Sequence, residues 1–362
     1  MQSRKSVRSS RARGKSRRTA AAGRKGRARA AKSGRTKMAS PYSGKLQSVF
    51  HAGYEDASAL NKSGWSIAQA GAADARHRMN ARWTLRCAGR GQSGAMRMKL
   101  LAEGRAYADG FASALDLPKG MWQPVAMSKS AAAVVIAVPG MNRAAIKQLQ
   151  RLPFQDIIVV LENGTEGDFA ELRELPDITI MQTGDRLGAD VGRAIGARMT
   201  KADIVLFADG GKETAAEQLA LMLATAEAGA DVVMADQTPQ LGPFSRWDDR
   251  TRIRAFMNWS LGKPELKANS VELLPHVWSR HGIEKVGVSQ LAVPPLAHLT
   301  AIRHKLQLRS IALQAGASGH ASVELSVGDH IEALQTAMKA EGARLSFSDQ
   351  LRRRAITGGT AT

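Results

Sequence analysis

The feature that most constrains the fold is an alternation of short apolar segments with helical patterns between residues 131 and 236. The apolar segments read AAVVIAV, DIIVVL, DITIMQ, DIVLFAD and DVVMAD, and amphipathic or small-residue helical stretches separate them. Short continuous apolar runs of this kind are typical of parallel strands that are covered on both faces. Because crossovers between parallel strands are right-handed, the sequence predicts a doubly wound α/β sheet.

Polar or glycine-rich residues follow these strands at the points where each strand ends. Ligands of doubly wound sheets bind beyond the carboxyl ends of the strands. The turns there are Pro139-Gly140-Met141-Asn142, Glu162-Asn163-Gly164-Thr165, Thr183-Gly184-Asp185 and Asp209-Gly210-Gly211. An acidic residue at the end of a buried strand, such as Asp209, indicates a site for a metal ion or a sugar nucleotide. Two residues later, however, the chain has a glycine in place of a second carboxylate.

Composition divides the chain into four predicted regions. Residues 1–40 form a basic tail, since the first 37 residues hold 15 Lys or Arg and no acid out of a formal net charge of +20. Such a segment predicts disorder and binding of polyanions or nucleic acid through counterion release, with a merely solubilising extension as the alternative. Helical spacing predicts a helical N-terminal module over 41–129. An α/β half then covers 130–240, and a less regular half covers 241–362.

Cysteine content and hydropathy bear on location. The single cysteine, Cys87, excludes an intramolecular disulfide and fits a reducing cytoplasm. We expect it to be a small buried apolar residue without a catalytic role. No apolar run approaches the ~20 residues of a membrane span, and the N-terminus lacks the apolar core of a secretory signal. A cytoplasmic protein is therefore predicted, and the acid-free tail keeps an organellar transit peptide open.

Four motifs in order resemble those of family 2 glycosyltransferases with the GT-A fold. They are VVIAVPGMN, IIVVLENGT, VGRAIGA and DIVLFADGG. The family has a Pro-x-Tyr-Asn type turn, an Asp-Asp-Gly-Ser turn, an Ala-Arg-Asn-x-Gly-Ile helix and an Asp-x-Asp turn at comparable spacing. The resemblance covers residues 131–236 and extends more faintly to about residue 354. It implies a sheet like that of nucleotide-diphospho-sugar transferases, and transfer of a sugar, with inversion, from a UDP-sugar to a hydroxyl acceptor such as a polysaccharide precursor.

The resemblance assigns the first two turns to the nucleobase. Pro139 and Asn142 match the first turn, and Met141 stands where the family often has an aromatic residue near the base. Glu162 takes the place of the acid that accepts a hydrogen bond from the base, as a carboxylate can from a uracil N–H. Gly164 and Thr165 complete that turn.

The later motifs are assigned to the diphosphate and a divalent metal. Arg193 matches the arginine of the helix motif and is a suitable partner for a diphosphate. Asp209 matches the first acid of Asp-x-Asp, where Mg²⁺ or Mn²⁺ would bridge the protein and the diphosphate. Because Gly211 replaces the second acid, one metal-binding carboxylate of the motif is missing.

A second departure concerns the catalytic base that removes the proton of the acceptor hydroxyl. The stretch VGVSQLAVPPLAHLTA, where the family places an acid, contains none. The remaining candidates are Asp248, Asp249, Glu272, Asp329 and His330. We favour Asp329 and His330, with His330 also as a metal ligand like the late histidine of some GT-A enzymes. The alternative is that Gly-Asp-His is only a helix cap with a surface histidine.

Features of the sequence suggest three other functions. A catalytically impaired relative that binds sugar nucleotide without turnover fits the two departures. A polyanion-binding protein with the α/β body as scaffold rests on the tail alone. A dinucleotide-binding enzyme is excluded, because the glycine pattern in TGDRLGADVGRAIGA follows the third strand and no Tyr-x-x-x-Lys is present. Histidines in the C-terminal third also lack the spacing of zinc sites.

Overall fold

The structure is a computed structural model of the chain, and it describes residues 40–91, 93–183, 187–188, 190–313 and 322–347. The chain divides at residue 39 into two units, Met1–Ala39 and Ser40–Thr362. The first unit, which contains nearly all of the predicted basic tail, lies outside the described residues, as do Gly184 and Asp185 of the third turn. All that follows concerns the second unit, within which the predicted boundaries at 129 and 240 stay predictions.

Three helices form the predicted helical N-terminal region: α1 (Gly44–Lys62), α2 (Ile67–Cys87) and α3 (Gly94–Ser113). Helices α1 and α3 are in backbone contact at two glycines. A Cβ on Gly53 would lie 2.0 Å from the carbonyl oxygen of Tyr107, and one on Gly110 would lie 1.9 Å from that of Phe50. Any larger residue would therefore force the two helices apart.

Seven strands form one sheet. They are β1 (Ala131–Ala137), β2 (Asp156–Glu162), β3 (Thr179–Thr183), β4 (Ile204–Asp209), β5 (Val232–Asp236), β6 (His276–Ser279) and β7 (Leu308–Ala312). Their order is β3-β2-β1-β4-β6-β5-β7, and only β6 runs antiparallel to its neighbours. The predicted mostly parallel sheet is confirmed, and β6 and β7 add two strands that the sequence pattern did not reveal.

Eight further helices occur among the described residues of this unit. They are α4 (Arg143–Gln150), α5 (Glu166–Arg173), α6 (Val191–Met199), α7 (Ala216–Glu227), α8 (Asp249–Ser260), α9 (Arg280–Val286), α10 (Pro294–Arg303) and α11 (Val323–Glu341). One face of the sheet packs against α4, α5 and α7, and the other against α6, α9 and α10. The sheet is thus doubly wound, as predicted, and α8 and α11 pack on each other and on α10 beyond the second face.

Residues of the central strands alternate between these two faces. Ala133, Val135 and Ala137 of β1 belong to the core beneath α4 and α7, whereas Val134 and Ile136 belong to the core beneath α6. The same period of two holds in β2 and β4. The two cores are built mainly from Ala, Val, Leu and Ile, and they fix which face each strand-end residue reaches.

Candidate functional site

The first and fourth turns at the carboxyl edge of the sheet are joined directly. The backbone N–H of Asn142 donates to the carbonyl of Gly210 at 2.8 Å, and the N–H of Gly210 donates to the carbonyl of Ile136 at 2.7 Å. A Cβ on Gly210 would lie 2.9 Å from that Ile136 oxygen, so only glycine permits the approach. Backbone hydrogen bonds therefore hold the turns after β1 and β4 together.

Glu162 and Asp209 lie at the same edge and on the same face of the sheet. Glu162 follows Val160 by two residues and Asp209 follows Phe207 by two, and both of these apolar residues belong to the core beneath α6. In register, Asp209 stands beside Ile136 on the intervening strand, which faces the same core. Both carboxylates consequently point to the side of the sheet where α6 begins.

Glu162 is tied to the segment that leads into α6. Its Oε1 accepts a hydrogen bond of 2.8 Å from the backbone N–H of Gly188. Gly188 has φ of +100°, a backbone conformation that favours glycine. Helix α6 begins three residues later, at Val191. The assignment of Glu162 to a nucleobase stays a prediction, and its location at the sheet edge is the one that the prediction requires.

Thr165 and Asn142 both cap helices. Thr165 Oγ1 accepts from the N–H of Asp168 at 3.1 Å, and the Asp168 carboxylate accepts in return from the N–H of Thr165 at 2.9 Å. Asn142 Oδ1 accepts from the N–H of Ala144 at 2.9 Å at the start of α4. These side chains therefore have structural partners in addition to their predicted nucleotide role.

Asp168 is a residue of the site region that the sequence reasoning missed. Its carboxylate also accepts from the N–H of Gly140 at 3.0 Å, which joins the first turn to α5. Hydrogen bonds from Thr165 and from Gly140 hold the pKa of Asp168 below its usual value. The Thr-x-x-Asp spacing of a capping box was the signal that would have found it.

The rest of the first two turns consists of exposed or packing residues. Pro139 is exposed, and Met141 is half-buried against the core beneath α4. A Cβ on Gly164 would lie 2.4 Å from Leu161 Cδ2, so this glycine serves packing at the end of β2. Met141 offers an apolar surface near the turn, as does the exposed Val138, which is compatible with the predicted position of Met141 beside a base.

Asp209 closes its own turn. The carboxylate is 9% exposed, and its Oδ1 accepts a hydrogen bond of 2.8 Å from the N–H of Gly211. A Cβ on Gly211 would lie 3.3 Å from that oxygen. The glycine therefore lets its amide approach the acid where a second carboxylate would place a like charge beside it.

Arg193 is buried and bonded to protein groups. Its guanidinium is paired with Asp190 at 2.6 Å and donates to the carbonyls of Val271 at 2.6 Å and Glu272 at 2.8 Å. The residue is only 1% exposed. These contacts join the start of α6 to the segment before β6, so Arg193 acts here as a positioning residue, and its predicted contact with a diphosphate stays a prediction.

A buried polar cluster extends from this segment to α11. Glu272 accepts from Arg254 Nη1 at 2.9 Å and from the hydroxyl of Ser326. Although burial raises the pKa of Glu272, the charges of Arg254 and His330 hold it below its usual value. His330 is fully buried, its Nδ1 lies 2.7 Å from the carbonyl oxygen of Ser326, and burial lowers its pKa. We call these residues, with Arg193, the Glu272 cluster.

The structure corrects the position of Asp329 and His330 along their helix. They were expected at a helix start, but α11 begins at Val323, where Ser322 Oγ accepts from the N–H of Leu325 at 3.2 Å. The alternative of a surface histidine is wrong as well, since His330 is buried. The capping serine lies six positions before Gly328 and sets the start of the helix, so the Gly-Asp-His stretch falls inside it.

Asp329 is held near other carboxylates. Burial, followed by the charges of Asp190, Glu332 and Glu272, raises the pKa of Asp329 to about 6. Asp329 is the seventh residue of α11, and Asp190, just before α6, is near enough for its charge to act on Asp329. Because Arg193 pairs with the same Asp190, Asp329 and Arg193 are both near that carboxylate.

His276 connects this cluster to β4 and was missed in the sequence. It pairs in register with Phe207, and the two rings lie 5.0 Å apart. Burial, and then the nearby charge of Arg193, lowers the pKa of His276 well below its usual value. Asp209 is two residues beyond Phe207, so His276 lies between the Glu272 cluster and the fourth turn.

The two other predicted bases have local partners. Asp248 caps α8, where its Oδ1 accepts from the N–H of Thr251 at 2.8 Å. Asp249 is exposed and forms an ion pair of 3.2 Å with Arg252. Neither contact reaches the Glu272 cluster, and the choice of Asp329 as the base stays a prediction.

No group of three or more His, Cys, Asp or Glu side chains that could hold a metal ion occurs among the described residues. Mg²⁺ is often bound through one or two carboxylates together with substrate phosphates and water, a mode that Asp209 alone can serve. His330, buried beside Glu272, would have to reach a cation from the interior, and its role as a ligand stays a prediction. In the same described part of the chain, no helix has the length and apolar character to cross a membrane.

Fold and edge together define a doubly wound α/β protein with a polar site at the carboxyl ends of its central strands. No family model matches the sequence, and no curated protein matches it. Three solved structures show what the chain is similar to. The mannosyltransferase PcManGT from Pyrobaculum calidifontis, in complex with GDP-Man and Mn²⁺, is 12% identical with a TM-score of 0.40 over 60% of this chain and 68% of that one.

The second is glucosyl-3-phosphoglycerate synthase from Mycobacterium tuberculosis, in complex with Mn²⁺, UDP and phosphoglyceric acid. It is 13% identical, with a TM-score of 0.44 over 62% of this chain and 81% of that one. Mannosyl-3-phosphoglycerate synthase from Rubrobacter xylanophilus is 15% identical, with a TM-score of 0.43 over 59% and 75%. Similarities of this size establish neither family nor activity, so the proposed function rests on residues of this chain.

Proposed function

We propose that the chain is a glycosyltransferase that moves a sugar from a nucleoside diphosphate donor, with UDP as the expected nucleotide, to a hydroxyl acceptor. The observation that supports this most is the placement of Glu162 and Asp209 on one face of the sheet edge, with the joined turns after β1 and β4 between them. An acceptor carboxylate for a base N–H and an acid for a diphosphate-bound cation would then lie on the same side.

In this proposal each residue has a distinct task. Glu162 accepts a hydrogen bond from the nucleobase, and Asp209 supplies the one protein carboxylate to a Mg²⁺ or Mn²⁺ ion. When bound, the cation would neutralise charge on the diphosphate as it leaves. Arg193 keeps the start of α6 and the segment before β6 in place through its contacts with Asp190 and two carbonyls.

Asp329 is the proposed base. With a pKa of about 6, its carboxylate is ionised at neutral pH and is more basic than an ordinary aspartate. It would take the proton of the acceptor hydroxyl as that oxygen bonds to the anomeric carbon, while the bond from this carbon to the diphosphate oxygen breaks. A single displacement of this kind inverts the anomeric configuration.

A second candidate is a protein that binds a sugar nucleotide without turnover. Two observations favour it: the Asp209 carboxylate already accepts from Gly211, and Arg193 is buried among protein partners. Both binding functions use the same edge, so only turnover separates them.

Ligand screening tests the proposal. Thermal unfolding of the full chain is measured with UDP, GDP, ADP and their sugars, with and without Mn²⁺, and a nucleotide at a hundred times its Kd should add about 2.7 kcal/mol of stability. Glu162→Gln and Asp209→Asn should each reduce the nucleotide-dependent shift, whereas Glu171→Gln, a change at an exposed residue of α5, should not. Absence of any nucleotide-dependent shift contradicts both candidates.

Turnover is then followed by release of UDP from a UDP-sugar with hydroxyl acceptors. Transfer that is lost in Asp209→Asn and Asp329→Asn supports the enzyme, and binding without release supports the second candidate. A polysaccharide precursor as acceptor, a cytoplasmic location and polyanion binding by the first 37 residues are further proposals.

A further inference from the structure

Helix α8 buries several polar side chains and exposes aromatic ones. Beside Met257, its buried face carries Thr251, Arg254 and Asn258, which are 4%, 5% and 0% exposed. Its outward face carries Phe256 and Trp259, which are 56% and 59% exposed. A helix on the surface of a water-soluble protein normally buries its apolar residues and exposes its polar ones.

Arg254 and Asn258 of this buried face are bonded to protein groups. Arg254 bonds to Glu272 at 2.9 Å, and Asn258 donates to the carbonyls of Lys267 at 2.8 Å and Asn269 at 3.0 Å. These bonds fix the rotation of the helix about its axis. The aromatic side chains therefore point outward, because rotation of α8 to bury them would break the bonds of Arg254 and Asn258.

The exposed aromatic residues form one continuous surface. Phe244 is 64% exposed, and the Arg252 guanidinium lies 5.8 Å from the centre of its ring. Arg252, Phe256 and Trp259 follow each other on one face of α8 at spacings of four and three residues. Phe256 also borders a groove of about 390 Å³, together with Met338 of α11 and Phe347. We call these six residues the α8 aromatic face.

Exposed Phe and Trp residues are clustered on the α8 aromatic face. Among the described residues, the four exposed Phe and Trp side chains are Phe244, Phe256, Trp259 and Phe347, and all of them belong to it. Ser346 fixes the last of these next to the helix, because its N–H donates to the carbonyl of Ser260 at 2.9 Å. Large apolar patches of this kind mark sites for a protein or a membrane.

Charge distinguishes between these two kinds of partner. Residues 244–263 contain five basic side chains and two acidic ones, the basic ones being Arg246, Arg250, Arg252, Arg254 and Lys263. Four of these five are on or near the surface, because only Arg254 is buried. Protein surfaces that lie in the interface of anionic bilayers typically combine Trp and Phe with Arg and Lys.

We propose that the α8 aromatic face docks the protein on an anionic phospholipid bilayer, with Phe244, Phe256 and Trp259 in the interfacial layer and the flanking basic residues against lipid phosphates. The docking is peripheral, and it is independent of the proposed sugar transfer.

Vesicle binding of the full chain tests this proposal. Sedimentation with phosphatidylcholine vesicles containing about 30% phosphatidylglycerol is measured at 0.15 M and 0.5 M NaCl, because the higher salt weakens attraction of the basic N-terminal segment. We expect binding at both salt concentrations. Phe256→Ser/Trp259→Ser should lower the partition coefficient by about tenfold or more at 0.5 M, since two aromatic side chains no longer leave water.

The matched control is Leu85→Ser/Met98→Ser, which removes two exposed apolar side chains, 75% and 57% exposed, from the N-terminal helices. It should bind as the unchanged chain does. Tryptophan emission should shift to the blue on vesicles, and Trp259→Phe should lose most of that shift.

Equal binding by the Phe256/Trp259 variant and the unchanged chain would overturn the proposal, since another segment would then hold the vesicle. Failure of the unchanged chain to bind at 0.15 M overturns it too. Concentration-dependent dimerisation that disappears in the same variant, without vesicle binding, would instead assign this face to a second copy of the chain.

Discussion

Asp209 and Gly211 show how a single residue changes the chemistry available at a strand end. The Gly211 amide lies 2.8 Å from Asp209 Oδ1, so a protein N–H partly neutralises the acid. Position 211 thus supplies a hydrogen-bond donor where the Asp-x-Asp pattern supplies a second negative charge.

Gly211→Asp should make nucleotide binding more dependent on metal. The new carboxylate would lie close to Asp209, and two like charges repel unless a cation joins them. We expect a loss of about 1 kcal/mol of stability without metal, which Mn²⁺ restores, together with a steeper Mn²⁺ dependence of the UDP-induced shift. Gly211→Ala is the control, and equal behaviour of the two variants would place the cation elsewhere.

Asp329 predicts a specific pH dependence. Its folded pKa, about 6, is above the unfolded value, so its stabilising contribution is complete at low pH and is lost as pH rises through 6. Asp329→Asn should therefore be relatively more stable than the unchanged chain above pH 6, by about 1 kcal/mol after allowance for solvent screening. Urea unfolding from pH 4 to 8 measures the difference, and a difference that does not vary with pH contradicts the assignment.

The Arg254–Glu272 pair predicts a large stability effect. Arg254→Met leaves the buried Glu272 carboxylate without its cation and should cost about 3–5 kcal/mol. The double variant Arg254→Met/Glu272→Gln removes both charges and should recover part of that loss. Chemical denaturation provides both values, and strict additivity of the two single changes would show that the pair is not coupled.

Residues at strand ends were predictable from the sequence, and their partners were not. Glu162 and Asp209 end apolar runs. The end of each run places the residue at the carboxyl edge of the sheet, and the period of two decides which face of the sheet its side chain reaches. Besides the nearby Asp190, Arg193 bonds to the carbonyls of Val271 and Glu272, almost 80 residues away along the chain. Local spacing carries no information on such contacts, so the sequence could only suggest a diphosphate for this arginine.

At the scale of elements, the contact between α1 and α3 depends on two glycines. Gly53→Ala and Gly110→Ala should each destabilise the protein by about 2–3 kcal/mol or more, because the added Cβ would overlap a backbone oxygen on the facing helix. Gly328→Ala in α11 is the matched control. Its Cβ would have no neighbour within 4 Å, so it should stabilise by about 0.5–1 kcal/mol. Thermal unfolding compares the three variants, and similar losses in all of them would be inconsistent with close packing.

Strand prediction succeeded for β1 to β5 and failed for β6 and β7. Four of the first five are runs mainly of Val, Ile, Leu and Ala, β3 is more mixed, and helices separate all five, a pattern that indicates parallel strands. β6 has only four residues, His276–Ser279, and its place between β4 and β5 is set by pairing with both. A strand this short is defined by its neighbours, which the local sequence does not specify.

For the whole molecule, most of the excess positive charge and the residues assigned to the nucleotide lie in different parts of the chain. Deletion of residues 1–37 removes 15 basic residues and should abolish the salt-sensitive retention of the protein on DNA. The UDP-induced thermal shift should stay unchanged, because every residue assigned to the nucleotide lies beyond position 138. Retention on a heparin or DNA column and thermal shift are measured on the same preparation. A variant that loses the nucleotide response would contradict this division of tasks.

The overall topology follows from the sequence only in part. Composition indicated a helical beginning, a basic tail and a sheet with helices on both faces. The outer layer of α8 and α11 was less predictable, because α8 buries polar residues and exposes aromatic ones. An amphipathic pattern shows which residues share a side of a helix, but not which side meets the core.

Cys87 is the one thiol of the chain, 7% exposed at the end of α2 beside the packed aromatic residues of the N-terminal helices. Burial raises its pKa to about 11, which keeps the sulfur protonated and unreactive in the folded state. Cys87 therefore labels slowly as long as the N-terminal helices stay packed. The rate at which a thiol reagent modifies Cys87 at neutral pH reports how often those helices separate, without an added probe.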